Sequence, residues 1–407
     1  MRVGAAPAPL LSVEEARARL LALFAPLSVE DVPLAKAAGR VLAEDVVARR
    51  AQPPFDASAM DGYAIGEGDH RLGARLAVIG ASVAGQRFEG RVGPGEAVRV
   101  FTGAPVPEGA DRVLIQENAE RIEDLVTIRA LGDGANIRPR AADFAPGARI
   151  AAPRRIGPRD MALMAAMNAG VIRARRRPVV AMLATGDELA MPGEDPGRDQ
   201  ILCSNSFGLK AMLEAAGAEA RLLPIARDTP ESLIAAFDLA TGGTSPADLI
   251  LTMGGASVGD HDLVGSTALG RGLDLAFHRI AMRPGKPLLA GRLNGVPMIG
   301  LPGNPVSAMV CGLLFARPAV EVMLGLGHGE PARFRGRLAG PLGMNGPRAH
   351  YMRARVSPEG AGFTCEVFER QDSSLLAVLA EANALVIRPV GDPERAAGEE
   401  VEFIWMD

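Results

Sequence analysis

The chain has 407 residues, 48% of them hydrophobic, and a formal net charge of −4 at pH 7. That length allows about two to four domains with substantial cores. The mild acidity, with no dominant Lys/Arg block, argues against nucleic acid as the main partner. Residues 12–24 open on Ser12, with Glu14 and Glu15 in the first turn, and predict an amphipathic helix. Leu34 to Ala48 reads as a second helical piece, closed by Pro53-Pro54. From about 55 to 150 short apolar runs alternate with glycines: Leu76 to Ile79, Ala97 to Val100, Arg112 to Ile115 and Val126 to Ile128. They predict a small β-rich domain with many turns. Residues 159–169 return to helix.

From Pro178 the pattern becomes β-α-β-α. Strands are expected at Val179–Leu183, Arg221–Ile225, Leu249–Thr252 and Met298–Leu301, with helices at Ser206–Ala216 and Glu231–Ala240. Such alternation predicts a three-layer α/β domain with a mostly parallel sheet and ligands at the carboxyl ends of its strands. Beyond about 328 short strands resume (Phe334–Leu338, Tyr351–Val356, Phe363–Phe368, Ala384–Arg388 and Glu400–Trp405), and they suggest a separate β-barrel or sandwich. The resulting division is a helical linking domain (1–52 with 147–177), a β-rich domain (53–146), an α/β domain (178–327) and a C-terminal barrel (328–407).

Cys203, Cys311 and Cys365 are far apart and form no Cys-x-x-Cys pair, which favours reduced thiols over a disulfide framework or a zinc site. Five histidines make no ligand pair at helical spacing. The N-terminus lacks a signal pattern, and no apolar run reaches about 18 residues, so a soluble, cytoplasmic protein is expected. Only three lysines (Lys36, Lys210 and Lys286) occur among 44 basic residues, and Lys286 lies inside a polar loop.

The chemistry concentrates in ordered polar segments. TMGGASVGDHDLV (252–264) follows an apolar strand. Gly254, Gly255 and Gly259 let backbone N–H groups approach an anion, and Ser257 adds a hydroxyl donor. Asp260 and Asp262 would repel a phosphate unless a cation lay between them, so the loop suits a phosphorylated ligand held through magnesium. PPFDASAMDGYA (53–64) places Asp56, Ser58 and Asp61 in a turn, and FTGAPVPEGADRVLIQE (101–117) exposes Thr102. ATGDEL (184–189) puts Asp187 and Glu188 at a strand's carboxyl end. MRPGKP (282–287) holds Arg283 and Lys286 on a stiff loop, and GLPGNPVSA (300–308) sets Ser307 near a helix start, where anions are favoured. Each segment taken singly is more economically a turn or a strand–helix junction.

In this order the motifs closely resemble the molybdopterin molybdenumtransferase family, which is related to the E domains of gephyrin and of the plant molybdenum-cofactor protein. The resemblance extends to QDSSLLAVLAEANALVIRP (371–389). The chain departs from the family pattern at Ala57, where Asn is usual, at Arg283, where Lys is usual, at Ala142, where an acid is common, and at Asp372-Ser373-Ser374, which replaces a Gly-Ser-Gly-like turn. Arg for Lys at 283 keeps the cation and adds a planar fork.

The resemblance implies insertion of molybdate into molybdopterin that carries AMP on its terminal phosphate, with Mg2+-dependent hydrolysis of the phosphoanhydride. It assigns catalytic roles to Asp61, Thr102, Glu188, Asp228 and Asp262, with Glu188, Asp228 and Asp262 holding the metal. Arg283, Lys286, Pro287, Ser307, Arg353 and Ser373 match its molybdate pocket. It further implies a homodimer, with Asp61 and Thr102 completing the partner subunit's site, and a molybdopterin adenylyltransferase that supplies the substrate. The alternatives are a molybdopterin adenylyltransferase and a non-catalytic molybdopterin-binding scaffold. The adenylyltransferase relatives lack the two N-terminal motifs, and the intact carboxylates speak against the scaffold.

Overall fold

A computed structural model of the chain describes residues 10–242, 246–255, 263–327 and 329–406. The chain divides into two compact units: Met1–Glu30 with Gly39–Ala43 and Ala174–Asp407, and Asp31–Ala38 with Glu44–Arg173.

The smaller unit carries a six-stranded sheet in the order Arg112–Ile115, Gly62–Ile65, Glu96–Val100, Arg75–Ser82, Leu125–Ile128, Ala119–Ile122. The two-residue period of a strand sorts its side chains into two cores. Tyr63 and Ile65 join Leu76, Leu114 and Val126 on one side, while Ala64 joins Val98, Val100 and Val113 on the other. The expected β-rich character of this stretch is therefore present. Helix Pro158–Ala166 starts on a proline, and the Asp160 carboxylate accepts the Gly157 N–H at 2.9 Å.

The helix expected over Leu34 to Ala48 does not form. The segment is a 3-10 turn at Leu34–Lys36 followed by short strands at Val41–Leu42 and Val46–Val47. Gly39 sits at φ +74°, a conformation that breaks a helix, and the β-branched valines beyond it favour extended backbone.

In the larger unit, helix Val13–Leu21 begins with a capping box: Ser12 Oγ accepts the Glu15 N–H, and the Glu15 carboxylate accepts the Ser12 N–H. The central sheet runs Glu219–Leu222, Val179–Ala184, Leu249–Met253, Val296–Leu301, Leu289–Leu293, Asp274–His278. The first four strands are mutually parallel, and the last two are antiparallel. The sheet is thus mixed. The sequence reading missed both antiparallel strands, which are interrupted by Gly291, Arg292 and a bulge near Phe277.

Every residue of Val179–Ala184 is buried. Val180, Met182 and Ala184 enter one core with Leu209 and Leu213 of helix Asn205–Ala215. Val179, Ala181 and Leu183 enter another with Leu233 and Phe237 of helix Pro230–Thr241. A strand buried on both faces reads as a continuous apolar run.

The C-terminal strands close a five-stranded barrel. Arg333–Leu338 pairs with Gly362–Val367 and Glu400–Trp405, and Ala349–Glu359 pairs with Gly362–Val367 and Ala384–Arg388. Ala384–Arg388 also pairs with Glu400–Trp405 and completes the ring. A barrel, rather than a sandwich, removes the sheet edges.

One helix among the described residues, Pro305–Met323, is long and apolar enough to cross a membrane, and 83% of its most apolar 18-residue window is buried inside the protein. It contains a π-helical turn at Gly312–Ala316 just before Pro318, a place where the missing proline N–H disturbs the ordinary ladder.

Candidate functional site

The carboxyl ends of Val179–Ala184 and Leu249–Met253 open into a cavity of about 920 Å³. Thr185, Gly186 and Glu188 follow the first strand into it, and Gly254 and Gly255 follow the second. Asp228, two residues before helix Pro230–Thr241, also lines it. The Asp228 N–H lies 3.4 Å from the Asp187 carboxylate, and Arg227 donates to the Asp187 carbonyl at 3.1 Å. The two acidic segments are thereby held side by side.

The opposite wall is cationic. Met282–Arg283 adds as a parallel strand to the barrel strand Ala349–Glu359, pairing Met282 with Ala349 and Arg283 with His350. This docking brings Arg283 beside the start of that strand, and Arg283 and Arg348, the residue just before Ala349, both line the cavity with Lys286 and Pro287. None of the three cations has an acidic partner among the described residues. Between them Gly285 adopts φ +105°, and a Cβ there would lie 2.5 Å from Cys311 Sγ and from Met282 Cε. Only glycine allows the Arg283–Lys286 turn to pass so close to the helix behind it.

Ser307 lines the cavity from the third position of helix Pro305–Cys311. Its neighbour Asn304 donates to Ser373 Oγ at 2.9 Å, and the Val306 N–H donates to the Ser373 carbonyl at 3.0 Å. The 371–374 turn is therefore pinned to the start of that helix. Asp372 accepts both the N–H and the hydroxyl of Ser374 (2.9 and 2.6 Å). The Ser374 hydroxyl, then its N–H, hold the Asp372 carboxyl below the usual carboxylate range.

Arg353 lies elsewhere. It is 1% exposed, and its guanidinium donates to the carbonyls of Leu375 (3.1 Å) and Asp372 (2.9 Å). It supports the 371–375 turn from behind and does not line the cavity. Arg348, which sequence reading passed over, does line it. No local pattern marks Arg348; only the pairing of Met282 with Ala349 brings it to the site. Asn205 and Cys203 were missed for the same reason, since they line the cavity through the start of helix Asn205–Ala215.

Asp61 and Thr102 belong to the smaller unit. Asp61 Oδ1 accepts the Thr102 N–H at 2.7 Å and its hydroxyl at 2.8 Å. These two bonds, N–H first, lower the Asp61 pKa and keep the carboxylate ionised. Arg99 stands beside them with its guanidinium 4.8 Å from the Phe101 ring centroid and 5.1 Å from that of Tyr63. Ser257, Gly259, Asp260 and Asp262 lie outside the described residues.

The donor set at the acidic wall suits magnesium. Glu188 and Asp228 offer hard carboxylate oxygens, neither is ion-paired among the described residues, and both are exposed to the cavity. Magnesium is ordinarily held by one or two carboxylates plus substrate phosphates. The described residues contain no group of three or more His, Cys, Asp or Glu poised for a metal, so a cation here would depend on the ligand for further oxygens.

Three family descriptions match successive stretches: "MoeA N-terminal region (domain I and II)" over 11–168, "Probable molybdopterin binding domain" over 181–322 and "MoeA C-terminal region (domain IV)" over 335–405. A molybdopterin molybdenumtransferase of a Nostoc species is 33% identical over 389 residues, covering 93% of this chain and 88% of its own. Molybdopterin molybdenumtransferase 1 of Mycobacterium tuberculosis is 31% identical over 425 aligned residues, covering 97% and 99%. The crystal structure of a molybdopterin biosynthesis MoeA protein from Pyrococcus horikoshii superposes with a TM-score of 0.84 at 28% identity, covering 98% of this chain and 100% of that one. With its strand-end cavity, closed barrel and full-length matches, the chain belongs to the molybdopterin molybdenumtransferase family.

Proposed function

We propose that this protein is a transferase of molybdenum-cofactor biosynthesis that inserts molybdate into adenylylated molybdopterin and hydrolyses the AMP phosphoanhydride with Mg2+. The observation that carries this reading is a single cavity with cations lacking acidic partners on one wall and carboxylates on the other. A tetrahedral dianion needs preorganised positive charge and hydroxyls, which Arg283, Lys286, Arg348, Ser307 and Ser373 supply. Breaking a phosphoanhydride needs its developing negative charge neutralised. Glu188 and Asp228, with Asp262 from the TMGGASVGDHDLV segment, would hold the magnesium that provides this neutralisation.

The chain's own groups divide the work. Arg283, Lys286 and Arg348 bind and orient the oxyanion. Arg353 fixes the 371–375 turn so that Ser373 presents its hydroxyl. The volume of about 920 Å³ falls within the range of sites for whole small-molecule ligands, so the oxyanion and the nucleotide can share it.

The ionised Asp61–Thr102 pair completes the site of a second copy in a homodimer, and a molybdopterin adenylyltransferase supplies the substrate. The four-part division of the chain into linking, β-rich, α/β and barrel domains belongs to the same reading. The match of residues 11–168 to the MoeA N-terminal description favours it over a stand-alone adenylyltransferase. The test is AMP release from adenylylated molybdopterin with magnesium, measured before and after molybdate is added. Release that depends on molybdate is expected. A well-folded protein that releases no AMP under any of these conditions would be a scaffold instead.

A further inference from the structure

Among the described residues, seven buried side-chain polar atoms have no hydrogen-bond partner, and two of them, Thr185 Oγ1 and Asn205 Oδ1, belong to residues lining this cavity. Thr185 is the more confined, at 4% exposure. Its backbone is committed, since its N–H donates to the Met253 carbonyl at 3.1 Å. The Gly254–Gly255 turn wraps directly over it. A Cβ on Gly254 would lie 2.7 Å from the Thr185 carbonyl oxygen and 2.9 Å from its hydroxyl, and one on Gly255 would lie 3.5 Å from the hydroxyl. The Glu188 carboxylate packs against Gly186, the very next residue. A hydroxyl desolvated without a partner destabilises the protein that carries it. Valine has the same branched shape and would avoid that cost, so packing alone does not explain threonine at this position.

We propose that Thr185 is a ligand-binding residue whose enclosed hydroxyl donates to a phosphoryl oxygen of the nucleotide, beside the Glu188 carboxylate. The wall on which it stands is built from the ends of Val179–Ala184 and Leu249–Met253, whereas the oxyanion cations come from the Met282–Arg283 strand and its turn. The hydroxyl therefore serves the phosphoryl group and not molybdate. The proposal rests on the reading of this cavity as the substrate site. It predicts opposite signs for the same substitution: Thr185→Val relieves the ligand-free protein and weakens the complex.

The experiment compares wild type, Thr185→Val, Thr185→Ser and Lys286→Ala in thermal unfolding without ligand and in calorimetric titrations with AMP plus magnesium and with molybdate. For Thr185→Val the unfolding midpoint should stay level or rise by about 2–4 °C, and AMP affinity should fall about tenfold. Molybdate affinity should be unchanged, and Thr185→Ser should bind AMP nearly as wild type does. Lys286→Ala should weaken molybdate binding. A lowered midpoint in Thr185→Val would mean that the hydroxyl already has a partner in the protein, and would overturn the proposal. Wild-type AMP affinity in Thr185→Val would overturn it too, as would a loss confined to molybdate. If Lys286→Ala also leaves molybdate binding intact, the reading of the cavity itself falls; if only Thr185→Val is silent, the present inference falls alone.

Discussion

The His350 imidazole is 6% exposed, and its Nε2 has no partner among the described residues. Burial, then the positive charges of Arg283, Arg348, Arg388 and Arg353, push its pKa down from 6.5 to about 4. Those arginines come from the 282–283 strand, from the strand carrying His350 and its approach, and from Ala384–Arg388, so charge of one sign surrounds the ring. At neutral pH it is an uncharged spacer that adds nothing to the repulsion among them. Between pH 6.5 and 4 the unfolded chain binds a proton at His350 that the folded chain refuses. Its contribution to stability is therefore complete above the unfolded value and is lost as pH falls toward the folded one. His350→Gln should flatten the acid limb of the stability profile in that window, measured by denaturant midpoints across pH. Identical slopes in variant and wild type would show that the ring is already protonated in the folded state.

At the scale of single elements, the Arg283–Pro287 turn is the piece on which the cationic wall depends. Gly285→Ala would force a left-handed residue and drive a Cβ into Cys311 and Met282. Displacing the turn should cost at least about tenfold in molybdate affinity, because charge-assisted contacts are sensitive to misplacement. A stability loss of roughly 1–3 kcal/mol should accompany it. Titration and thermal unfolding of the same variant check both, and a variant indistinguishable from wild type would show that the turn moves freely.

The motif MRPGKP made this turn legible from sequence, as did the apolar run of Val179–Ala184 for the strand that feeds Glu188 into the cavity. The two antiparallel strands Leu289–Leu293 and Asp274–His278 were not legible, since glycine, arginine and a bulge interrupt their alternation. The helix expected at Leu34 to Ala48 failed at Gly39, whose positive φ outweighed a favourable run of Leu, Ala and Lys. Arg353 and Arg348 teach the same lesson at closer range. Arg348 comes just before the strand Ala349–Glu359 and lines the cavity, whereas Arg353, five residues further on within the strand, is buried behind the 371–375 turn.

At the scale of the whole molecule, the sheet and the barrel act together. The central sheet brings carboxylates and glycines to its strand ends, while the barrel carries Arg348 and supports the 371–375 turn through buried Arg353. The barrel in turn is anchored by a buried cluster in which Arg388, at 2% exposure, pairs with Asp392, and Arg395 donates to the same carboxylate at 2.6 Å. Burial pushes the Asp392 carboxyl up, but the bonds from Arg395 and Arg388 prevail and hold it below the usual range. Stripping one member from such a buried pair ordinarily costs about 3–5 kcal/mol, so Asp392→Asn should loosen the barrel and, through it, the oxyanion wall. Thermal unfolding and molybdate titration should both register that loss.

The division of the cavity into a cationic and an acidic wall is tested most directly by where the oxyanion binds. Crystals soaked with molybdate and measured for anomalous scattering at the molybdenum edge would locate it directly. The peak is predicted among Arg283, Lys286, Arg348 and Ser373, with the Arg353 guanidinium still bound to the Asp372 and Leu375 carbonyls. A peak at the Glu188 and Asp228 wall, or no peak in this cavity at saturating molybdate, would contradict the division of the site into a cationic oxyanion wall and an acidic wall.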